Sequence, residues 1–149
     1  MFTLILMSFN AVAEECPITP DNITEAIENH IREIRASEYC PGRSIRTDGV
    51  NTIVVYTAEG ACDPEEESAA GLCGNHWERY MIGSINGKII GPIEVGRKGE
   101  LSDKEIKITG NLIELTGLAI QPKDSFCCPS LPQTKKFEFS QDGFNEIKP

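Results

Sequence analysis

The chain has 149 residues, of which 40% are apolar and 25% are charged, and its formal net charge is −9. This length allows one ordinary domain of about 136 residues behind a short leader and excludes a multidomain protein. The composition is globular, neither collagenous nor disordered. Because no cluster of Lys and Arg offsets the negative charge, the phosphate backbone of nucleic acid and anionic membrane surfaces would be repelled, and we do not expect either as a partner.

Residues Met1–Ala13 predict a signal peptide. Their short apolar run ends at Ala11-Val12-Ala13, a small-residue site of the kind that precedes cleavage, and a buried N-terminal strand is the alternative. No stretch approaches the roughly 18 apolar residues of a membrane span. Two acidic residues precede Cys16, which argues against a lipid-modified cysteine there. We therefore expect an exported protein, periplasmic or secreted, with residues 14–149 as a single domain.

A helix is predicted from Asp21 to Tyr39. Asp21 or Asn22 would supply the N-cap, and Pro41-Gly42 would end the helix. His30 lies beside the apolar stripe, where we expect a partly buried or surface residue rather than a metal ligand. The stripe indicates a helix that packs as a lid on a sheet. Its apolar residues recur at spacings of three and four: Ile23, Ala26, Ile27, Ile31 and Ile34.

After Gly49 the apolar period changes to two, which predicts antiparallel strands. Asn86-Gly87 is the strongest hairpin signal, and Pro92 places its strand at an edge or a bulge. The predicted fold is α+β, with an N-terminal amphipathic helix packed on an antiparallel meander sheet of about six or seven strands. The expected strands are Val50–Ala58, His76–Ile85, Lys88–Val95, Glu105–Thr109, Leu112–Ile120, Lys135–Ser140 and a last short one from Phe144.

Six cysteines, an even number in a chain expected to be exported, favour disulfides. Cys62 and Cys73 bracket a polar loop between two strands, so proximity favours their pairing. Cys16 and Cys40 flank the helix and could bond if the N-terminal segment folds back along it. Alternatively, one or both reach the adjacent pair Cys127-Cys128.

The adjacent cysteines have three interpretations. We expect Cys127 and Cys128 each to bond elsewhere and so tether the loop Gln121–Pro132 to the body of the domain. A vicinal disulfide would instead close an eight-membered ring and provide a redox or ligand-contact element. A free or metal-bound pair is the third interpretation, but zinc is weakly supported because no C-x-x-C occurs and His30 and His76 lie far apart in sequence.

One short motif carries a resemblance. The segment Asp124-Ser125-Phe126-Cys127-Cys128-Pro129-Ser130 precedes a strand and a D-G turn. This D-x-x-C-C-P-S pattern resembles small exported bacterial proteins of uncharacterised function and is similar to that of mycobacterial LppP/LprE-type lipoproteins. The N-G-K hairpin within His76–Val95 resembles theirs as well. The chain has no lipobox Cys, so the resemblance implies export and fold rather than membrane anchoring, and it implies no activity.

An acidic loop lies between Cys62 and Cys73 and includes one residue just before them. Its members are Glu59, Asp63, Glu65, Glu66 and Glu67. Oxygen-rich loops can bind Ca²⁺, but the EF-hand spacing is absent, so a solvated acidic loop is expected.

The strand that starts at His76 carries the remaining candidate chemistry. Alternation places His76, Glu78 and Tyr80 on one face, and Trp77, Arg79 and Met81 on the other. His76 and Glu78 could form an acid/base pair, although core packing of Trp77 and surface pairing explain the same residues.

These observations predict an exported cell-envelope protein with a non-catalytic binding or structural role, stabilised by disulfides. We assign no catalytic residue, metal or cofactor. The partner is an unknown envelope protein or a small ligand, and we expect a monomer without a transmembrane segment. The alternative is a thiol-redox protein or a hydrolase that uses Cys127/Cys128 or His76/Glu78. The expected binding surface comprises His76, Trp77, Glu78, Tyr80 and Asp124.

Overall fold

The computed structural model describes residues 15–60 and 76–149. The predicted leader, Cys62, Cys73 and most of the acidic loop lie outside the described residues. No helix in the described ranges is long and apolar enough to cross a membrane. The elements within these ranges are α1 (Asp21–Glu33), β1 (Ser37–Glu38), a 3-10 turn (Cys40–Gly42), β2 (Ser44–Asp48), β3 (Asn51–Glu59), β4 (Trp77–Ile85), β5 (Lys88–Arg97), β6 (Ser102–Thr109), β7 (Leu112–Ala119), β8 (Leu131–Ser140) and β9 (Gly143–Ile147).

The helix α1 begins at the predicted residue but ends at Glu33, well before Tyr39. Arg35 adopts a left-handed backbone with φ of 53°, which stops the helical ladder. The main-chain N–H of Ala36 then donates to the carbonyl of Ile31 at 3.0 Å, so the freed carbonyl is satisfied. The prediction that Pro41-Gly42 ends the helix is therefore wrong, because the chain has already turned back into β1.

The start of α1 uses a main-chain rather than a side-chain cap. Pro20, rather than Asp21 or Asn22, occupies the N-cap position and makes no side-chain cap, although the Asn22 side-chain oxygen accepts a hydrogen bond from the Ile23 N–H at 3.0 Å. The Pro20 carbonyl accepts hydrogen bonds from the N–H groups of Ile23 and Thr24 at 3.0 and 2.9 Å. The predicted side-chain cap is thus corrected: the fixed φ of proline sets the first turn.

The strands form two antiparallel sheets rather than one meander, and this corrects the predicted architecture. In the first sheet, β1 and β2 both pair with β3, which pairs with β4 and then β5. The second sheet has the order β6-β7-β8-β9. The chain passes between the sheets through Gly99 and Leu101, both at positive φ. Contacts of β2 with β6 and of β5 with β9 bring the sheets together along both edges.

The described part of the chain therefore has three layers, with the first sheet in the middle. On its outer face, Ile23 and Ile27 of α1 are fully buried against Val54, Tyr56 and Ile82. Because both faces of the first sheet are covered, Thr52–Ala58 is buried without interruption. The core between the sheets contains Ile53, Val55, Met81, Ile85, Ile90, Val95, Leu101, Ile113, Leu115, Phe137 and Phe139.

The local turn predictions are confirmed. Asn86 and Gly87 both have positive φ, at 50° and 81°, as a two-residue hairpin between β4 and β5 requires. Pro92 lies in β5, which is the edge strand of the first sheet, opposite a register shift between Met81 and Gly83. The broad α+β prediction therefore holds, and the single sheet does not.

Candidate functional site

The strand β4 separates the predicted binding surface into two faces. Tyr80 packs with the helix side of the first sheet, whereas Met81 belongs to the core between the sheets. Since side chains alternate along a strand, His76 and Glu78 lie on the helix side with Tyr80, and Trp77 lies on the opposite side. The structure therefore does not bring all five predicted surface residues together.

On the helix side, polar side chains form a linked network. The Glu78 carboxylate accepts a hydrogen bond from the Tyr80 hydroxyl at 2.5 Å and contacts His76 Nε2 at 3.3 Å. The Tyr56 hydroxyl lies 2.7 Å from Nδ1 of His30, and the rings of Tyr56 and Tyr80 stack at 5.9 Å. His30 is half-buried in this network, next to two tyrosines, which agrees with the expectation of a partly buried residue.

Titration in this network favours a structural role. Burial, together with the hydrogen bond to Glu78, raises the pKa of Tyr80, and burial raises that of Tyr56. Burial also lowers the pKa of His30 below its usual value. Both phenols therefore stay protonated near neutral pH and act as hydrogen-bond donors or acceptors that join α1 to β3 and β4.

On the opposite face, Trp77 is held by its neighbour on the same strand. The guanidinium of Arg79 lies over the indole, 4.2 Å from the ring centroid. Arg79 is itself buried and donates a hydrogen bond to the carbonyl of Glu100, in the crossing between the sheets. These contacts fix the orientation of the indole at the end of the first sheet.

The loop between β7 and β8 is organised by Asp124. Its carboxylate accepts hydrogen bonds from the main-chain N–H groups of Gln121 and Ser130, both at 3.0 Å, and from the Ser130 hydroxyl at 2.7 Å. The Ser130 hydrogen bond is the main reason that the pKa of Asp124 lies below its usual value. Asp124 therefore closes the base of the loop, so that the residues between Gln121 and Ser130 project as a unit.

Within this loop, Cys127 and Cys128 bond to each other. Cys16 bonds to Cys40, with a Cα–Cα distance of 5.1 Å. The predicted long-range tether of Cys127 and Cys128 is therefore wrong, because the two described cysteines considered as its partners are joined to each other. These pairs at disulfide distance are compatible with an extracellular location.

The Cys16–Cys40 bond forms by a different route from the one predicted. Since α1 ends at Glu33, the residues after the helix return along it and bring Cys40 back to the helix start. A hydrogen bond of 3.1 Å from Arg43 to the Thr19 hydroxyl joins the same two segments. The return leg is thus the segment after the helix rather than the N-terminal segment.

Trp77 and the vicinal disulfide meet in one cleft of about 310 Å³, called here the Trp77 cleft. Phe126, 89% exposed, stands at this cleft, and an exposed aromatic ring beside a concave apolar surface is typical of a binding site. The sequence alone indicated Trp77 and the cysteines separately, but it did not indicate Lys98 or the apolar Ile120 as part of the same site. The cleft is lined by Trp77, Lys98, Gly99, Ser102, Ile120, Phe126, Cys127 and Pro129.

Trp77 also lines a second, smaller cleft of about 230 Å³, called here the Lys104 cleft. The ammonium group of Lys104 donates to the carbonyl of Gly42 at 2.7 Å and so joins β6 to the 3-10 turn. The cleft is lined by Tyr39, Gly42, Thr57, Glu59, Trp77, Arg79 and Lys104.

Comparison with known proteins does not assign the chain to a family. No protein-family model matches the chain, and neither a curated protein nor a solved structure matches it. The similarity of the segment from Asp124 to Ser130 to LppP/LprE-type lipoproteins stays a prediction. Among the described residues, no group of three or more His, Cys, Asp or Glu side chains is placed to hold a metal ion.

Proposed function

We propose that this protein is an exported, non-catalytic binding domain and that its Trp77 cleft takes a small ligand. One observation carries the proposal: Trp77 lines one cleft together with the adjacent residues Phe126 and Cys127, which are far from it in the sequence. Indole and phenyl groups offer flat surfaces for stacking, and the disulfide adds polarisable sulfur atoms. Lys98 and Ser102 add polar groups that can orient a ligand.

The contacts of the predicted acid/base pair favour binding over hydrolysis. The Glu78 carboxylate is already engaged by the Tyr80 hydroxyl, and the raised pKa of Tyr80 keeps that phenol protonated. Trp77, not His76, faces the Trp77 cleft. A hydrolase would need its base within hydrogen-bond reach of a bound substrate.

The proposed location is the periplasm or the extracellular space. The disulfides Cys16–Cys40 and Cys127–Cys128 support it, since such bonds persist in oxidising compartments. We propose that the domain acts as a monomer. The partner is then a small envelope component or a soluble ligand, and the binding energy comes from the walls of the cleft.

A fragment screen by nuclear magnetic resonance tests the binding function. ¹⁵N-labelled protein is titrated with planar heteroaromatic compounds and with monosaccharides, and the indole N–H of Trp77, the only tryptophan, is followed. We expect hits to shift this signal together with the amides of Phe126 and Cys127. Phe126→Ala should weaken the hits by about fivefold or more, because an aromatic contact contributes about 1 kcal/mol.

Ile18→Ala is the matched control, since Ile18 is 98% exposed and does not line the cleft. It should leave the affinity of the hits unchanged. A screen with no hits, or with hits whose shifts avoid Trp77, would refute the proposal.

A thiol-redox function is the second candidate. The observation that favours it is the bond between adjacent Cys127 and Cys128 in an exposed loop, where a thiolate can reach the sulfurs. In such exchange, an attacking thiolate bonds to one sulfur and the other leaves as a thiolate; a second donor thiol then releases the dithiol. The assay is insulin reduction with glutathione as electron donor. Redox function predicts turnover that the double variant Cys127→Ser/Cys128→Ser abolishes, whereas reduction of the protein without turnover would end this candidate.

A further inference from the structure

The Trp77 cleft and the Lys104 cleft share one lining residue, Trp77. Arg79, whose guanidinium covers the indole at 4.2 Å, lines the Lys104 cleft and does not line the Trp77 cleft. A ligand that packs against Trp77 in one cleft can therefore extend past the indole into the other. The two clefts form neighbouring subsites.

Among the described residues that line these subsites, basic side chains outnumber acidic ones, although the chain as a whole is acidic. The protein carries a formal net charge of −9, yet Lys98 lines the Trp77 cleft, and Arg79 and Lys104 line the Lys104 cleft. Glu59 supplies a carboxylate in the Lys104 cleft. Hydrogen bonds to the carbonyls of Glu100 and Gly42 hold the Arg79 and Lys104 groups in position. Cations held at defined positions beside the indole favour a ligand that carries negative groups.

The position of the subsites in the sheet disfavours a peptide added as a strand. Trp77 pairs with Glu59 of β3, and Arg79 pairs with Thr57 on one side and Gly96 on the other. The main chain of β4 is thus paired within the first sheet, and strand addition requires an unpaired edge. A ligand in these clefts would therefore be recognised by side chains rather than by the main chain of β4.

From these observations we infer that the two clefts together bind an acidic oligosaccharide, an inference that rests on the proposed binding function of the Trp77 cleft. Flat apolar walls such as Trp77 and Pro129 pack against the C–H faces of sugar rings. Tyr39, Thr57 and Ser102 line the clefts, and a hydroxyl group can both donate to and accept from sugar hydroxyls. Ring carboxylates pair with the lysines.

Galacturonic acid provides matched probes: the monomer, its linear trimer, and the methyl-esterified trimer, which keeps the rings and removes the charges. Titrations are followed by Trp77 fluorescence, with calorimetry as the second measurement. We expect the acidic trimer to bind at least about tenfold more tightly than the monomer, because it occupies both clefts. It should also bind at least about fivefold more tightly than the ester and should weaken as salt is raised.

Lys98→Gln and Lys104→Gln test the two subsites separately, and each should weaken trimer binding by about threefold to tenfold. Lys98 is exposed, so its substitution leaves folding intact even if Lys104→Gln does not. Lys88→Gln, at an exposed position at the start of β5, is the matched control and should leave the affinity unchanged.

Each contrary result has a defined meaning. Equal binding of the ester would overturn the acidic class, and equal binding of the monomer would overturn the second subsite. Tighter binding of a linear oligoglutamate than of the trimer would overturn the saccharide class in favour of a peptide. If fragments still shift the Trp77 indole signal while no galacturonate binds, the inference fails and the proposed binding function stands; if neither binds, both fail.

Discussion

Truncation of Ile27 probes the contact between α1 and the first sheet, and we expect Ile27→Ala to lower the free energy of unfolding by about 3 to 4 kcal/mol. Ile27 is fully buried, in a cluster with Val54, Tyr56 and Ile82. The substitution removes three carbon atoms, and at about 0.8 kcal/mol for each buried methylene the lost burial accounts for about 2.4 kcal/mol. The cavity that remains between helix and sheet adds the rest, because the rigid β3 and β4 backbones can collapse only partly.

The assay is urea unfolding followed by circular dichroism, with Trp77 fluorescence as a second probe. Ile18→Ala, at a side chain that is 98% exposed, is the matched control and should change the free energy of unfolding by less than about 0.5 kcal/mol. A loss below about 1 kcal/mol for Ile27→Ala, with an unchanged denaturant slope, would refute the packing of α1 on the first sheet.

Two further predictions concern charged groups. Burial lowers the pKa of His30, so the unfolded chain binds the proton more tightly than the folded chain. The contribution of His30 to the free energy of unfolding should therefore be complete above the unfolded pKa of about 6.5 and be lost as the pH falls below it. His30→Gln should flatten this part of the profile of urea midpoint against pH. An unaltered profile in His30→Gln would contradict this. Glu38 accepts hydrogen bonds from Arg43 at 2.5 and 2.7 Å, and the two side chains are only 12% and 8% exposed, so Glu38→Gln should cost about 3 kcal/mol in urea unfolding. Glu94→Gln, at the exposed pair with Arg97, should cost less than about 1 kcal/mol, and equal losses for the two variants would count against the argument from burial.

The elements that the sequence predicts well are those encoded by neighbouring residues. Asn86-Gly87 forms the hairpin turn because Asn and Gly adopt positive φ at low cost, and β3 is recognisable from its β-branched and aromatic residues. The end of α1 was missed because Arg35 has no preference for the left-handed backbone that it adopts. The strand β2 was missed because its sequence, Ser-Ile-Arg-Thr-Asp, is mostly polar and three of its five residues are exposed.

The candidate site could be predicted only in pieces. Trp77 and Cys127 stood out by residue type, but their meeting depends on how the second sheet closes against the first, which local patterns do not encode. Lys98 lies in the crossing between the sheets, so the same unpredicted closure places it at the cleft. Asp124 was assigned to a binding surface, yet its carboxylate is engaged by Gln121 and Ser130, a role that becomes visible only from the hydrogen bonds.

The stability of the helical layer depends on whether the Cys16–Cys40 bond has formed, and this depends on the redox state of the compartment. It spans 24 residues and encloses the whole of α1, so closing this loop stabilises the folded state by roughly 3 to 4 kcal/mol in the chain-entropy description. In a reducing cytosol the helix would stay on the sheet through noncovalent contacts only, chiefly the buried Ile23 and Ile27 and the His30–Tyr56 hydrogen bond, and it would be the first unit to open. Under the proposed export, oxidation of Cys16 and Cys40 would lock the outer layer in place, and the oxidised chain would resist proteases better than the same chain in a reducing compartment.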